Sequence, residues 1–185
     1  STGDSNIFLT LGTGTNTLAF CDDDRYLMVR TENSLVTIFN LDTGKKLMSQ
    51  LGTQGVKVCP EGRFIATHIL SEEKSNKYEI FIWDTKDGSF ALVTFPQETS
   101  GLSPKLEFSP DNTLLLIGTE FVGTDGQKIG RITAWDIRKK AEAWTLEGHG
   151  GSVTCFAYHA KTNILASGSR DTTAILWDVG TKSIK

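Results

Sequence analysis

Cysteine and proline are scarce in these 185 residues, at three and four. Cys21, Cys59 and Cys155 are odd in number, far apart and without a Cys-x-x-Cys pair, which argues against a disulfide framework or a zinc site. No apolar stretch approaches the roughly 18 residues of a membrane span, and the longest, such as Leu114–Ile117 and Phe90–Val93, are strand-sized. There is no N-terminal signal segment and no Asn-x-Ser/Thr acceptor. No apolar pattern of helical period runs for about ten residues. A dominant charge is missing too: 19 Lys and Arg against 22 Asp and Glu leave a net −3, with no broad basic field to attract phosphate backbones. The expectation is a soluble, reduced, cytoplasmic chain, with a nuclear location also compatible.

What is present is a repeat. Trp-Asp recurs at Trp83-Asp84, Trp135-Asp136 and Trp177-Asp178, each after a β-type run, and a degenerate copy ends on Phe39-Asn40. The intervals are 44, 52 and 42 residues, around the roughly 40–45 of one four-stranded propeller blade. A second signal repeats in phase. Phe20-Cys21-Asp22-Asp23-Asp24-Arg25-Tyr26-Leu27 aligns with Val58-Cys59-Pro60-Glu61-Gly62-Arg63-Phe64-Ile65 and with Phe108-Ser109-Pro110-Asp111-Asn112-Thr113-Leu114-Leu115. A last copy, Tyr158–Leu165, lacks the proline. An apolar strand end, a polar turn and a new apolar strand make hairpins. Each unit reads strand a, turn, strand b, loop, strand c, turn, strand d. The chain is expected to be all-β, with blades at about 12–51, 52–95, 102–146 and 147–185 and a strand d of a preceding or closing blade at 7–11.

Segment 148–178 adds Gly148-His149, Val153-Thr154-Cys155-Phe156-Ala157, Leu165-Ala166-Ser167-Gly168-Ser169-Arg170-Asp171 and Ile175-Leu176-Trp177-Asp178. This combination resembles a full repeat of the WD-repeat β-propeller family, and the phased partial copies extend the resemblance over nearly the whole chain. Its Ser-Arg-Asp-x-Thr-x-Ile-Leu-Trp-Asp version is similar to repeats in propellers of BEACH-domain trafficking proteins. The resemblance implies a structural hydrogen-bonded tetrad of His149, Ser167, Asp171 and Trp177. It also implies a ring of about seven or eight blades, of which this chain would supply four. A buried indole N–H needs an acceptor, a serine hydroxyl can accept it and donate to histidine, and the other ring nitrogen can donate to aspartate. The same residue types could suggest a catalytic triad, but Ser167 lies inside an Ala-Ser-Gly-Ser strand rather than at an exposed elbow with an oxyanion hole. Elsewhere the tetrad is expected to be incomplete, with Asn33 as a polar substitute in blade one, Asp125 as the available aspartate in blade three, and apolar packing holding the remaining cores.

Other motifs carry little chemistry. Gly12-Thr13-Gly14 and Gly148-His149-Gly150-Gly151 join no strand to a helix, as phosphate loops require, and read as tight turns. Cys21 and Cys59 are expected to fill the role of Ser109, and Cys155 that of a small core hydrophobe. His68 and His159 have no second ligand nearby, and Arg138-Lys139-Lys140 reads as a solvated turn. No catalytic residue, cofactor or metal site is expected. The variable loops between strands b and c, with insertions at Ser71–Tyr78 in blade two and Glu120–Lys128 in blade three and a minimal loop around Arg170-Asp171-Thr172 in blade four, carry the candidate partner-binding residues: Glu72, Glu73, Lys74, Lys77 and Tyr78 in blade two, Phe121, Asp125 and Lys128 in blade three, and Arg170 in blade four. The resulting expectation is a non-catalytic scaffold that joins other proteins in a multi-subunit complex, without a small-molecule substrate. RNA binding by the loop face is an alternative. A channel enzyme is another, and it would need clustered acids or histidines, which inner-strand residues such as Thr17, Leu18, Val56, Leu106 and Val153 do not offer.

Overall fold

The computed structural model describes residues 14–21, 24–71, 77–93 and 102–185. They form sixteen strands in four antiparallel sheets of four, each in chain order, and no helix occurs among them. The first sheet is β1 (Thr15–Cys21), β2 (Tyr26–Thr31), β3 (Val36–Asn40) and β4 (Lys46–Gln50). The second is β5 (Thr53–Val58), β6 (Phe64–Leu70), β7 (Tyr78–Asp84) and β8 (Phe90–Val93). The third comprises β9 (Lys105–Phe108), β10 (Leu114–Val122), β11 (Lys128–Asp136) and β12 (Ala141–His149), and the fourth β13 (Val153–His159), β14 (Ile164–Ser169), β15 (Ala174–Asp178) and β16 (Ser183–Ile184). The segment 7–11 lies outside the described residues.

The repeated turns explain the repeated residues. Lysine or glycine adopts positive φ at Gly44, Gly88, Lys140 and Lys182, always four positions after the Asp or Asn that ends the third strand. That acid or amide caps the turn: Asn40 Oδ1 accepts from Thr43 N at 2.8 Å, Asp84 Oδ1 from Lys86 N at 3.0 Å, Asp136 Oδ1 from Lys139 N at 2.8 Å and Asp178 Oδ1 from Gly180 N at 2.9 Å. The aspartate of Trp-Asp is thus a turn residue, made necessary by otherwise orphaned amides. In the turn between first and second strands, Cys59 Sγ accepts from Phe64 N and Ser109 Oγ from Leu114 N, so thiol and hydroxyl fill one role.

The sheets stack face against face. Met28, Val36, Ile38 and Met48 of the first meet Ile65, Val56, Val58 and Trp83 of the second. Ala66, Ile80, Ile82 and Val93 of the second meet Leu106, Phe108, Leu115 and Ile117 of the third. Leu116, Ile132, Ala134 and Leu146 of the third meet Val153, Leu165 and Trp177 of the fourth. The first strands β5, β9 and β13 neighbour one another along the inner side of the arc. The two end faces of the run have no neighbour among the described residues: in the first sheet Leu18 and Phe20 turn away from the second and are 60% and 62% exposed, and the fourth sheet ends the run at the other side. Ile38, Ile82 and Ala134 are buried by the sheet that follows, whereas Leu176 at the same register is 50% exposed.

Four expectations need correction. Cys155 is exposed, not a core residue. A bulge between Val153 and Cys155 shifts the register, so Val153 packs inward and the alternation resumes with the thiol turned outward. The third sheet runs to His149 rather than 146, so Gly148-His149 ends its outer strand. The residues from Glu120 to Lys128 are no inserted loop: β10 and β11 pair as far as Val122 and Lys128, leaving a turn only over 123–127. Tyr78 is 9% exposed, its ring edge-on to His68 and its hydroxyl donating to Gln54 Oε1 at 3.3 Å, and so offers no aromatic surface to a partner.

Candidate functional site at the loop face

The turns between second and third strands, and the connections from one sheet to the next, open on one side of the arc. The fourth sheet is locked there by a polar chain. Trp177 Nε1 donates to Ser167 Oγ at 2.7 Å, Ser167 Oγ lies 2.8 Å from His149 Nε2, and His149 Nδ1 lies 3.0 Å from Asp171 Oδ2. An ionised carboxylate only accepts, so Nδ1 carries the proton, Nε2 is bare and the serine donates to it. Loss of water pushes the Asp171 carboxyl up. Hydrogen bonds from the hydroxyl and amide of Thr173, from Gly150 N and from His149 outweigh it and hold the group well below the usual carboxylate range. Ser167 is 2% exposed and both its hydrogen-bond directions are occupied, an arrangement suited to fixing a sheet and unsuited to nucleophilic attack.

A second polar chain, absent from the expectations, joins the first two sheets. Trp83 Nε1 donates to Thr67 Oγ1 at 3.1 Å, and Thr67 donates to Gln50 Oε1 at 2.6 Å. Gln50 ends the outer strand of the first sheet as His149 ends that of the third, and Thr67 holds the register of Ser167. A hydroxyl two residues past the residue that pairs with the Trp was the available sequence signal. The third sheet has Ile117 there, and Trp135 Nε1 is buried without a hydrogen-bond partner among the described residues. Asp125 does not serve it: its Oδ1 accepts from Gln127 N within its own turn. Asn33 accepts from the Thr31 hydroxyl in the first sheet.

Of the expected partner-binding residues, Glu72, Glu73 and Lys74 lie outside the described residues. Lys77 adjoins β7, its carbonyl accepting from Ser71 N at 2.8 Å. Phe121 lies 4.2 Å below the Arg131 guanidinium, whose Nε donates to Glu147 at 2.7 Å. Lys128 and Arg170 come together, lining one cavity of about 310 Å3 with Leu102, Glu120, Gly150, Gly151 and Asp171. Glu120, only 3% exposed, ties the third sheet to the fourth. Its Oε2 accepts from Ser152 N at 2.8 Å while Lys128 Nζ stands 3.1 Å from Oε1. Gly130 allows this closeness, since a Cβ there would sit 2.1 Å from the Gly151 carbonyl oxygen.

The adjoining cavity, of about 350 Å3, lies against the inner strands and shares Leu102 and Arg170 with the first. Val56, Leu106 and Val153 line it as inner-strand residues, and it also exposes cations, which the expectation, framed on acids and histidines of the inner strands, did not cover. Lys57 Nζ pairs with Glu107 Oε2 at 2.8 Å, and Lys105 projects beside them. His68, 4% exposed, places Nε2 2.7 Å from Ser103 Oγ, while Nδ1 has no partner among the described residues. Burial first, and the Arg30 charge second, lower its pKa to about 4. Gly55 makes room for this ring, as a Cβ would meet it at 2.2 Å. Among the described residues no group of three or more His, Cys, Asp or Glu could hold a metal ion. No helix of the described residues is long and apolar enough to cross a membrane.

Comparison with known proteins adds three findings. The model of the family described as WD domain, G-beta repeat matches residues 141–178, spanning β12 to β15. Mitochondrial division protein 1 of Candida glabrata is 27% identical over 108 residues, which are 58% of this chain and 14% of that protein. The solved structures of the RRP9 WD40 repeats and of U3-55K are each 14% identical, with TM-scores of 0.64 and 0.63. Each covers 96% of this chain, which in turn spans 52% and 53% of theirs. At that identity they establish the fold. This chain spans about half the length of these structures and a small part of the curated relative.

Proposed function

We propose that the chain is a non-catalytic scaffold that receives partner proteins on the face carrying Lys128 and Arg170, a reading in keeping with the WD-repeat match over residues 141–178 and the propeller fold shared with solved WD40 structures. The observation that supports this most is the division of labour among its polar groups. Those resembling catalytic machinery, His149, Ser167 and Asp171, are consumed in a buried chain that ends on an indole. Exposed cations, Lys105, Lys128 and Arg170, line two adjoining cavities on the face where the turns between second and third strands open. A rigid sheet edge that presents variable loops is suited to recognition. On this reading the partners are other proteins of a multi-subunit complex, there is no cofactor or small-molecule substrate, and the protein works in the cytoplasm. RNA is the weaker reading, since no aromatic platform for bases lines either cavity and the net charge is −3.

The four sheets also read as an arc of a larger ring, closed by further blades or by a second copy, because Leu176 leaves an apolar face open. Light scattering tests this, and a compact monomer of this chain alone would overturn it. For the scaffold, affinity capture followed by lysine cross-linking is the test. Captured proteins should link to Lys105 and Lys128 and not to Lys161 or Lys182 on the opposite turns. The reverse pattern would sink the assignment of the face.

A further inference from the structure

We propose that the inner cavity receives an anionic side chain, a carboxylate or a phosphate ester, carried on an extended segment of a partner protein, with Arg170 and Lys105 as its ion-pairing groups and Ser103 as a hydroxyl donor. This rests on the loop-face reading above and specifies the chemistry of what binds there. In a chain of net charge −3, this cavity is lined by Lys57, Lys105 and Arg170 and, among the described residues, by no carboxylate. Lys57 is already matched by Glu107. The side chains of Lys105 and Arg170 form no ion pair or hydrogen bond with another described residue. The two acids of the neighbouring cavity are engaged internally: Glu120 with Ser152 N and Lys128, Asp171 with Gly150 N, Thr173 and His149. The mouth therefore holds cations whose charge the described residues leave unmatched, and such a concave basic spot on an acidic molecule selects an anion.

His68 supplies the independent observation. It is a buried polar ring with an unpaired nitrogen at the wall of this cavity, and it touches Ser103. A buried acceptor without a partner is tolerated better than a buried N–H without one, so the bare nitrogen is Nδ1 and the proton sits on Nε2. Nε2–H then donates to Ser103 Oγ, and the serine proton is left to point elsewhere. Ser103 lines the cavity, and an anionic oxygen, which only accepts, suits that free donor. A cavity of about 350 Å3 accommodates one or two side chains. Among the described residues no Phe, Tyr or Trp lines it and the His68 ring is only 4% exposed, so no face is offered on which a nucleobase could stack, which favours a protein segment over RNA.

Fluorescence anisotropy on this chain can decide, with four labelled probes: the octapeptide (Gly-Glu)4, its Gln and phosphoserine counterparts, and a ten-nucleotide uridine RNA. The glutamate or the phosphoserine peptide should bind at least about tenfold more tightly than the glutamine one, weakening as salt rises. The tighter of those two identifies the anion. Arg170→Glu and Lys105→Glu should each weaken it by about tenfold and Ser103→Ala by about threefold, while Lys161→Glu on the opposite turns should change nothing. Arg170, Lys105 and Lys161 are exposed, and urea midpoints equal to wild type confirm intact folding. Equal binding of the glutamine peptide, indifference to both charge reversals, or tighter binding of the RNA would overturn the proposal. If cross-links from captured partners still converge on Lys105 and Lys128 while the acidic probes fail, this inference falls and the scaffold reading stands.

Discussion

The third and fourth sheets solve one packing problem in opposite ways. In the fourth, the indole of Trp177 feeds a chain of hydrogen bonds through Ser167 and His149 to Asp171, and the histidine arrives from the last residue of the third sheet's outer strand. In the third, Ile117 replaces the serine, the Trp135 N–H finds no acceptor among the described residues, and the interior is Leu106, Phe108, Leu115 and Ile117 against the second sheet. Both sheets have the same strand order and pairing. The polar chain is therefore not what makes the fold. Its distinctive effect is to tie two neighbouring sheets by directional bonds, where apolar packing ties them only by area.

His149→Ala should break this contrast most severely. It removes a buried ring and leaves both Ser167 and Asp171 short of a partner, so about 4 kcal/mol should be lost, read as a lowered urea midpoint. A loss under about 1 kcal/mol would mean that the chain merely decorates a core already sufficient. The other buried histidine sharpens the comparison through pH. His149 has a carboxylate beside it, whereas the hydrogen-bond partner of His68 among the described residues is the Ser103 hydroxyl. Its pKa is lowered from the ordinary 6.5 to about 4, first by burial and then by Arg30. Between those values the unfolded chain binds the proton more readily. The stabilisation is thus complete above about pH 6.5 and is lost as pH falls toward 4, by up to about 3 kcal/mol. Urea midpoints at pH 7.5, 5.5 and 4.5 should show that decline, and His68→Gln should flatten it. An unchanged slope in the variant would assign the acid sensitivity elsewhere.

Local chemistry made much of this legible from residues alone. Trp-Asp marks where an apolar third strand ends and a capped turn begins, and Asp136 and Asp178 perform that task within three residues of themselves. Residues acting across longer separations were hidden. Glu120 looked like the start of a polar insertion, yet its acceptor role depends on Ser152, 32 residues on, and on a hairpin that extends past the usual turn. Cys155 was misplaced because one bulge reverses the side on which every later residue of that strand falls. Lys57 and Lys105 were overlooked because the inner strands were weighed for clustered acids and histidines, whereas what lines the cavity beside Val56, Leu106 and Val153 is cationic. Gln50 was invisible for a different reason: a glutamine ending an outer strand acquires meaning only when Thr67 and Trp83 are known to stand beside it.

The smallest effects test the contrast most directly, by making the same change in both sheets. Trp177→Phe should cost about 2 kcal/mol, because it deletes a bond to a buried serine as well as ring area. Trp135→Phe deletes ring area but also removes an N–H that had no acceptor, so the two changes offset and the cost should stay under about 1 kcal/mol. The difference between the variants, measured by urea unfolding under one set of conditions, isolates what the indole proton contributes when an acceptor is present. Equal losses would show that the acceptor at Ser167 adds nothing beyond the packing that Ile117 supplies in the same place, and the two sheets would then differ in pattern but not in energetics.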